Sequence, residues 1–149
     1  MDDARHIENL LYDYAERIDA GDYAGIGELF AHGRIWGMED PPLEAVFEGA
    51  DAVRGLYEWS TRRYEDGTPK THHIITNARI EVADDGQTAS SRAYYCVVQS
   101  TEALPLQPII TGRYHDTFHR VDGAWCFDTR LMIVDQTGDL SHHLLIEAP

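Results

Sequence analysis

Basic residues are scarce in this sequence, and their scarcity excludes two classes of partner. Only 12 lysines and arginines stand against 26 aspartates and glutamates, so the chain carries a net charge of −14 with neutral histidines. Nucleic-acid phosphates and anionic lipid headgroups attract proteins mainly through Lys and Arg side chains. We therefore expect neither nucleic acid nor a membrane as a partner.

Cysteine and long apolar runs are also scarce. Cys96 and Cys126 have neither CxxC nor zinc-finger spacing, so we expect no disulfide framework and two small, buried apolar side chains. No apolar segment approaches the ~18 residues that span a membrane. The N-terminal segment lacks the basic flank and apolar run of a signal peptide. These features predict a cytoplasmic protein.

Motifs for cofactors, metals and nucleophiles are missing as well. The sequence has no GxGxxG, GxxxxGK[ST] or GxSxG pattern, and its histidines form no HxH or HExxH motif. Two pairs of histidines are adjacent in sequence and point in different directions: His72/His73 and His142/His143. His115 and His119 share a strand face, but their spacing of four residues is wider than a pair of metal ligands on a strand prefers. We therefore expect a site without metal or cofactor.

The first part of the chain has the hydrophobic spacing of helices. Apolar residues recur every three or four positions from Asp3 to Ala20, and this spacing predicts an amphipathic helix. Asp2 or Asp3 can cap its start, and Gly21 can end it. The other elements predicted here are two helices and two short strands: Asp22–Phe30, Asp51–Tyr64, Arg34–Met38 and Ala45–Glu48.

After Lys70 the pattern changes to the period of two that is typical of strands. Aspartate and glycine residues at 84–86 and 122–123 predict hairpin turns. The four strands predicted here are Thr71–Ala83, Thr88–Ser100, Pro108–Val121 and Ala124–Gln136. Helices followed by an antiparallel meander predict an α+β fold, a curved antiparallel sheet wrapped on the N-terminal helices, in a single domain of residues 1–149.

The last strand is apolar on both of its faces. One set contains Trp125, Phe127, Leu131 and Ile133, and the other contains Cys126, Met132 and Val134. A sheet with one wet face is apolar on one side only. Helices can cover one face, and a second subunit is the simplest cover for the other, so we expect a homo-oligomer, a trimer or a dimer.

Two residues of the first predicted helix could belong to a site. Asp19 lies in the last turn, where the helix dipole disfavours a carboxylate by about 0.3–1 kcal/mol. It is either a solvated side chain or the partner of a histidine. Tyr14 lies within the buried stripe, so its hydroxyl either reaches the surface or points into a polar cavity.

Two more candidates lie on the predicted strands. His72 and His73 point to opposite faces, so only one of them can enter the interior. That histidine is either structural or a base, and a carboxylate that accepts from its Nδ1 would make the other nitrogen a stronger base. Arg130 interrupts an apolar face between Cys126 and Met132, and requires either a protein carboxylate or a substrate group as its partner.

Five segments together resemble the SnoaL-like branch of the nuclear transport factor 2-like superfamily. They are Tyr14 to Tyr23, Leu29-Phe30, Thr71 to Ile80, Gly112 to Asp116 and Asp122 to Trp125, in the same order along nearly the whole chain. The resemblance implies a cone-shaped α+β barrel with a deep pocket between helices and sheet. Scytalone dehydratase, bile-acid 7α-dehydratase and hexachlorocyclohexane dehydrochlorinase, all of this branch, are cofactor-free lyases with an Asp–His pair.

By position, the resemblance implies that Asp19 is the carboxylate and His73 the base. Tyr14 is similar to the dehydratase tyrosine rather than to the lysine of the dehydrochlorinase, which favours an oxygen leaving group, and Arg130 resembles the pocket arginine of the dehydrochlorinase. The expected activity is a dehydratase-type lyase for a hydrophobic cyclic or aromatic small molecule. Three alternatives stay open: a ketosteroid-type isomerase with the same pair, an epoxide hydrolase, and a non-catalytic domain for binding or assembly. His72 has no assigned role.

Overall fold

Three α-helices occupy the first part of the chain in this computed structural model, which describes residues 2–147. They are α1 (Asp3–Asp19), α2 (Tyr23–Leu29) and α3 (Gly49–Ser60), with a short 3-10 helix at Leu43–Ala45. Asp2 caps α1 by accepting from the Arg5 backbone N–H, and Asp22 caps α2 by accepting from that of Gly25. Within the described residues, none of these helices is both long and apolar enough to cross a membrane.

Helix α3 ends four residues before its predicted end at Tyr64. The main chain after Ser60 pairs with the C-terminal segment, residues 138–147: the N–H of Arg62 donates to the carbonyl of His143 at 2.8 Å, and that of Leu145 to the carbonyl of Ser60 at 2.9 Å. These bonds require extended backbone, and Thr61 has it, at φ −119° and ψ 123°. A partner distant in sequence therefore overrides the helical spacing of residues 61–64.

A six-stranded sheet forms the rest of the fold, in the order β2-β1-β6-β5-β4-β3. Its strands are β1 (Arg34–Trp36), β2 (Phe47–Glu48), β3 (Thr71–Val82), β4 (Thr88–Gln99), β5 (Gln107–Val121) and β6 (Ala124–Thr137). The α+β class is confirmed, and so is the antiparallel meander β3 to β6. The sheet as a whole is mixed, because β1 pairs with β6 in parallel. No hairpin turn joins β1 to β6, so nothing forces that pair to be antiparallel. The sheet is curved and remains unclosed, with β2 and β3 as its edges.

The predicted assignment of faces on β6 is wrong beyond Phe127. Thr117 of β5 pairs with Thr129, and Phe118 pairs with Phe127, so Asp128 is an extra residue in β6. Such a bulge reverses the faces of every later side chain. Arg130, Met132 and Val134 therefore share the inner face with Trp125 and Phe127, while Cys126, Leu131 and Ile133 lie on the outer face.

Both cysteines are free and only half-buried, so the prediction of two buried side chains is wrong. Cys96 pairs in register with the outward-facing Ile74, which is 44% exposed. Cys96 therefore lies on the outer face of the sheet, where side chains are more exposed to solvent than in the core.

The core lies between the inner face of the sheet and α1, α2 and α3. The predicted stripe of α1 supplies Ile7, Leu11, Tyr14, Ala15 and Ile18, all of them buried. On the sheet, Phe118, Phe127 and other inward side chains pack against them. Near the C-terminal end of α1 this packing leaves a cavity, into which the candidate site opens.

Candidate active site

A cavity of about 270 Å³ opens between the inner face of the sheet, α1, α3 and the C-terminal segment. Its volume is close to the lower end of the range for small-molecule sites, ~300–1,000 Å³. Most of its lining is apolar or aromatic, with a few polar side chains among them: Tyr14, Ile18, Leu56, Tyr57, Ser60, Thr61, His73, Tyr95, Val97, Ile110, Tyr114, Met132, Val134, Leu140, His143, Leu144, Ile146 and Glu147. The cavity therefore suits a compact hydrophobic molecule with a small number of polar groups.

Asp19 and His73 are in direct contact at one side of this cavity. Oδ1 of Asp19 lies 2.7 Å from Nδ1 of His73, and its Oδ2 accepts from the His73 backbone N–H at 2.8 Å. The hydroxyl of Thr71 donates to Oδ1 at 2.8 Å. Strand alternation explains the arrangement, because Thr71 and His73 point inward while His72 points out to solvent.

These hydrogen bonds decide the charge of Asp19. Burial alone would raise the pKa of this carboxyl, but the hydrogen bonds and charge of His73, with the hydroxyl of Thr71, outweigh burial and lower the pKa below its ordinary value. They also offset the unfavourable position of Asp19 at the end of α1. An ionised Asp19 accepts the proton on Nδ1 of His73, so Nε2 carries the free lone pair.

Nε2 of His73 makes no hydrogen bond to any residue between 2 and 147, and the side chain lines the cavity while remaining 5% exposed. An imidazole whose Nδ1 is held by a carboxylate is fixed in one tautomer, with the lone pair of Nε2 available as a base. The arrangement can remove a proton from a molecule in the cavity without a metal or cofactor.

Two tyrosine hydroxyls form a second polar feature of the cavity. The hydroxyls of Tyr14 and Tyr57 are hydrogen-bonded to each other, and both rings are buried. Burial raises the pKa of Tyr14, although the positive charge of Arg130 acts against this, and burial also raises the pKa of Tyr57. Both hydroxyls are therefore neutral. One of them donates to the other, and the hydroxyl that accepts within the pair keeps its own O–H for a substrate oxygen.

Arg130 lies behind the cavity lining. Its Nε and one terminal nitrogen donate to the two oxygens of Asp116 at 2.8 and 2.9 Å, and both side chains are fully buried. The guanidinium stacks 4.3 Å from the Tyr14 ring centroid and 3.7 Å from that of Tyr114. The sequence left two kinds of partner possible for Arg130, a protein carboxylate or a substrate group. The structure shows the protein carboxylate, Asp116.

Sequence reasoning assigned no site role to Tyr57, Tyr114 or His143, all of which line the cavity. Tyr57 and Tyr114 lie on apolar faces, where a core role is the simpler interpretation. His143 follows the last strand, and no periodic pattern there shows which way a side chain points.

His143 reaches the cavity from the C-terminal segment. Its side chain is buried, and its Nδ1 has no hydrogen-bond partner within the described part of the chain. Burial lowers the pKa of this imidazole to about 4, with a further lowering from the charge of His73 and an opposing effect from Asp19. His143 is therefore neutral at the pH where His73 and Asp19 would act.

The shift of His143 predicts a loss of stability in mild acid. Because the pKa is about 4 in the folded chain and 6.5 ordinarily, the unfolded chain binds the proton more readily, and stability falls as the pH drops from about 6.5 to about 4. At about 1.4 kcal/mol per pKa unit, we expect His143 to account for about 2–3 kcal/mol of lost unfolding free energy between pH 7 and 4.5.

Urea unfolding at both pH values measures this loss. His143→Phe keeps an aromatic ring without a titratable group. Its loss of unfolding free energy between the two pH values should therefore be smaller than that of the wild type by about 2–3 kcal/mol. Equal pH dependence in the two proteins would contradict the assignment.

Among the described residues there is no group of three or more His, Cys, Asp or Glu side chains that could hold a metal ion. The polar side chains that line the cavity are its histidines and tyrosines with Ser60, Thr61 and Glu147, and Asp19 lies behind His73.

A family model described as a SnoaL-like domain matches residues 1–130. The chain belongs to the SnoaL-like family. This family is part of the nuclear transport factor 2-like superfamily, and it includes polyketide cyclases and dehydratases. SnoaL-like domains bind hydrophobic small molecules. No curated protein matches this SnoaL-like chain.

Solved structures share the SnoaL-like fold at low sequence identity. A Novosphingobium aromaticivorans protein, provisionally described as a scytalone dehydratase, is 23% identical, with a TM-score of 0.70, and the match covers 91% of this chain and 86% of that one. A Mycobacterium tuberculosis protein of unknown function is also 23% identical, with a TM-score of 0.70 and coverage of 89% and 72%. A second Novosphingobium aromaticivorans protein, provisionally described as an aromatic ring hydroxylase, is 19% identical, with a TM-score of 0.71 and coverage of 94% and 95%. These likenesses show the fold alone.

Proposed function

We propose that this protein is a cofactor-independent lyase of the dehydratase type, acting on a hydrophobic cyclic or aromatic small molecule. The observation that carries the proposal is the 2.7 Å contact between Asp19 and Nδ1 of His73 at the wall of an apolar cavity. An oriented imidazole beside an apolar cavity can remove a proton from a carbon next to a carbonyl group.

The reaction begins with transfer of that proton to Nε2 of His73. The electron pair of the broken C–H bond moves into an enolate, and its oxygen accepts a hydrogen bond from the neutral hydroxyl of Tyr14. The enolate then expels a hydroxyl group from the adjacent carbon, and the proton held by His73 leaves with it as water. The pair returns to its starting state, and the product has a new carbon–carbon double bond.

Arg130 supports this step through Tyr14 instead of touching the substrate. Its guanidinium lies against the Tyr14 ring and opposes the effect of burial on the Tyr14 pKa. A positive charge there favours negative charge that develops on the oxygen bound by Tyr14. In this proposal Arg130 is a positioning residue, and His73, Asp19 and Tyr14 form the catalytic group.

The test uses a β-hydroxy ketone whose product is aromatic. Loss of water from 3-hydroxy-1-tetralone gives 1-naphthol, which is followed by absorbance. We expect the wild-type protein to accelerate this conversion above the rate in buffer, and the acceleration to depend on His73. Proton exchange into solvent without release of 1-naphthol would favour the isomerase, which begins with the same deprotonation. Binding without either reaction would favour the non-catalytic domain.

We also propose that the protein is a homo-oligomer assembled through the outer face of the sheet. This face carries the apolar Tyr94, 56% exposed, and Ile74, 44% exposed, in the same sheet region as Leu131 and Ile133. Arg79 and Arg92 lie on the same face, directly opposite each other and without an acidic partner among residues 2–147. A second copy with a charge of −14 can supply the missing carboxylates.

Light scattering coupled to gel filtration measures the mass in solution. We expect a dimer or trimer for the wild type and a shift to monomer for Ile133→Glu, which places a charge on the apolar outer face. Leu43→Glu is the control, because Leu43 is 86% exposed in the 3-10 helix and is not part of a strand. A wild-type mass equal to the 16.9 kDa monomer at micromolar concentration would exclude the assembly.

A further inference from the structure

Basic side chains of this acidic protein converge on a pocket in the outer face of the sheet. Its volume is about 400 Å³, and its lining contains three of the 12 lysines and arginines of the chain. The lining side chains include those of Asn77, Arg79, Arg92, Tyr94, Arg113 and His115. The cavity beside His73 lies on the opposite face of the sheet, so this pocket can take a ligand of its own.

Two of the arginines are neighbours without a counter-charge. Arg79 of β3 lies directly opposite Arg92 of β4, and both side chains are exposed. Like charges in this position repel each other and destabilise a sheet. Neither guanidinium forms an ion pair with a residue between 2 and 147, not even with Glu81, the next outward residue of β3. An anion in the pocket would relieve this repulsion.

A bulge in β3 brings the two charges together. Residues 77 and 78 of β3 lie opposite the single residue 93 of β4. Without the extra residue, Ala78 would be the partner of Arg92, and Arg79 would turn to the inner face. Asn77 has a φ of 42°, in the left-handed region that is strained for residues other than glycine. Bulges often re-aim a side chain beside a functional site, and this one places arginine beside arginine.

The third arginine has one nitrogen to spare. Nε and Nη2 of Arg113 donate to Asp135, whereas Nη1 makes no hydrogen bond within the described part of the chain. A guanidinium presents its donors in a flat fork that matches the oxygens of a phosphate group. Tyr94 lines the same pocket and is 56% exposed, so its ring can pack against the organic part of a ligand.

We propose that this pocket binds a phosphate monoester of a small organic molecule, with Arg79 and Arg92 holding the phosphate group. A phosphate monoester carries about two negative charges above pH 7, so it neutralises both arginines, whereas a single carboxylate neutralises one. The pocket volume is within the range for small-molecule sites, ~300–1,000 Å³, and is larger than a bare phosphate ion needs. The carboxylates of a second copy are the competing source of negative charge on this face.

Titration calorimetry at pH 8 and low ionic strength tests the proposal with three probes: phenyl phosphate, benzoate and inorganic phosphate. We expect phenyl phosphate to bind about 10-fold or more tightly than benzoate, because its phosphate group pairs with both arginines. It should also bind more tightly than inorganic phosphate, because its ring packs against Tyr94.

Three variants locate the binding. Arg79→Gln and Arg92→Gln should each weaken the binding of phenyl phosphate about 10-fold or more, through loss of charge-assisted hydrogen bonds. Arg34→Gln is the matched control, because Arg34 is an exposed arginine of β1 that does not line the pocket. It removes the same charge, and its affinity should stay within about 2-fold of the wild type.

A measurement on the wild type needs no variant. The ¹⁵N resonances of Nε in Arg79 and Arg92 should shift with phenyl phosphate, and that of Arg34 should not. Absence of phenyl phosphate binding at millimolar concentration would overturn the proposal, as would equal losses in Arg34→Gln and Arg92→Gln. Equal affinities for benzoate and phenyl phosphate would also overturn it, and would favour the carboxylates of a second copy as the partners of these arginines.

Discussion

Replacement of His73 by asparagine is expected to lower the rate of 1-naphthol formation from 3-hydroxy-1-tetralone by about 10²- to 10⁴-fold, the usual contribution of a positioned general base. The asparagine amide can still donate to Asp19, and the backbone N–H of residue 73 keeps its bond to Oδ2. The fold should therefore persist, and what is lost is the lone pair of Nε2.

The neighbouring histidine provides the matched control. His72 lies one residue away on the same strand, but its side chain is exposed on the outer face. His72→Asn makes the same chemical change without touching the cavity, and its rate should stay within about 2-fold of the wild type. If His73→Asn retains full turnover, or if His72→Asn is equally damaging, the proposed mechanism is wrong.

Asp19→Asn tests whether the two residues act as one unit. A neutral amide at position 19 no longer favours the tautomer with a proton on Nδ1, so the rate should fall in this variant as well. Residues that act together give non-additive losses. The double variant should therefore be scarcely slower than the slower single variant, whereas independent roles would multiply the two effects.

Replacement of Asp116 by alanine should destabilise the fold more than any other change described here. It leaves the buried guanidinium of Arg130 without its carboxylate, and breaking a buried pair in this way costs about 3–5 kcal/mol. The total stability of a domain is only about 5–15 kcal/mol. Urea unfolding should show a large fall in the midpoint concentration.

The same two strands carry an exposed counterpart of this pair on their outer face. Arg113 and Asp135 also form a two-pronged contact, at 3.0 Å, but their side chains are 40% and 38% exposed. Asp135→Ala should cost at most about 1 kcal/mol, because water replaces the lost carboxylate. Equal losses in Asp116→Ala and Asp135→Ala would contradict the role given to burial.

A double variant distinguishes the effect of losing the ion pair from the effect of leaving the charge of Arg130 without a partner. Replacing Asp116 with leucine and Arg130 with methionine removes both charges and keeps apolar volume, so it should be more stable than Asp116→Ala. If this variant folds, its turnover also reports on Arg130. A kcat below that of the wild type, with an unchanged KM for 3-hydroxy-1-tetralone, would support the proposed effect of Arg130 on Tyr14.

Much of the fold follows from periodicity in the sequence. The α1 stripe is buried as its spacing requires, and the Asp-Gly turns join the long strands of the meander. The parallel pairing of β1 with β6 was not predictable in this way, because it depends on a contact between segments almost 100 residues apart. The early end of α3 has a similar cause, since its competing partner is the C-terminal segment.

The candidate site was predictable only in part. The structure brings Asp19 and His73 into contact, and the resemblance to the family had singled out both. Arg130 was conspicuous as a charge among apolar residues, but its partner Asp116 was not, because the bulge at Asp128 brings Arg130 into line with Asp116. His143 gave no signal in the sequence, since it lies outside every periodic element and lines the cavity only through the folding of the C-terminal segment.

The extra residue Asp128 also determines which changes in chain length the protein can accept. It pairs with no residue of β5, so the pairs on either side of it, Phe127 with Phe118 and Thr129 with Thr117, do not depend on it. Deleting Asp128 would leave Arg130 opposite Asp116 in a regular ladder, whereas deleting Leu131 would turn Met132 and Val134 outward, away from the cavity. The turn at residues 84–86 also accepts changes in length, because it joins two strands whose faces are each set by their own cross-strand partners. Homologues should therefore vary in length at that turn and at position 128, and conserve length between Arg130 and Val134.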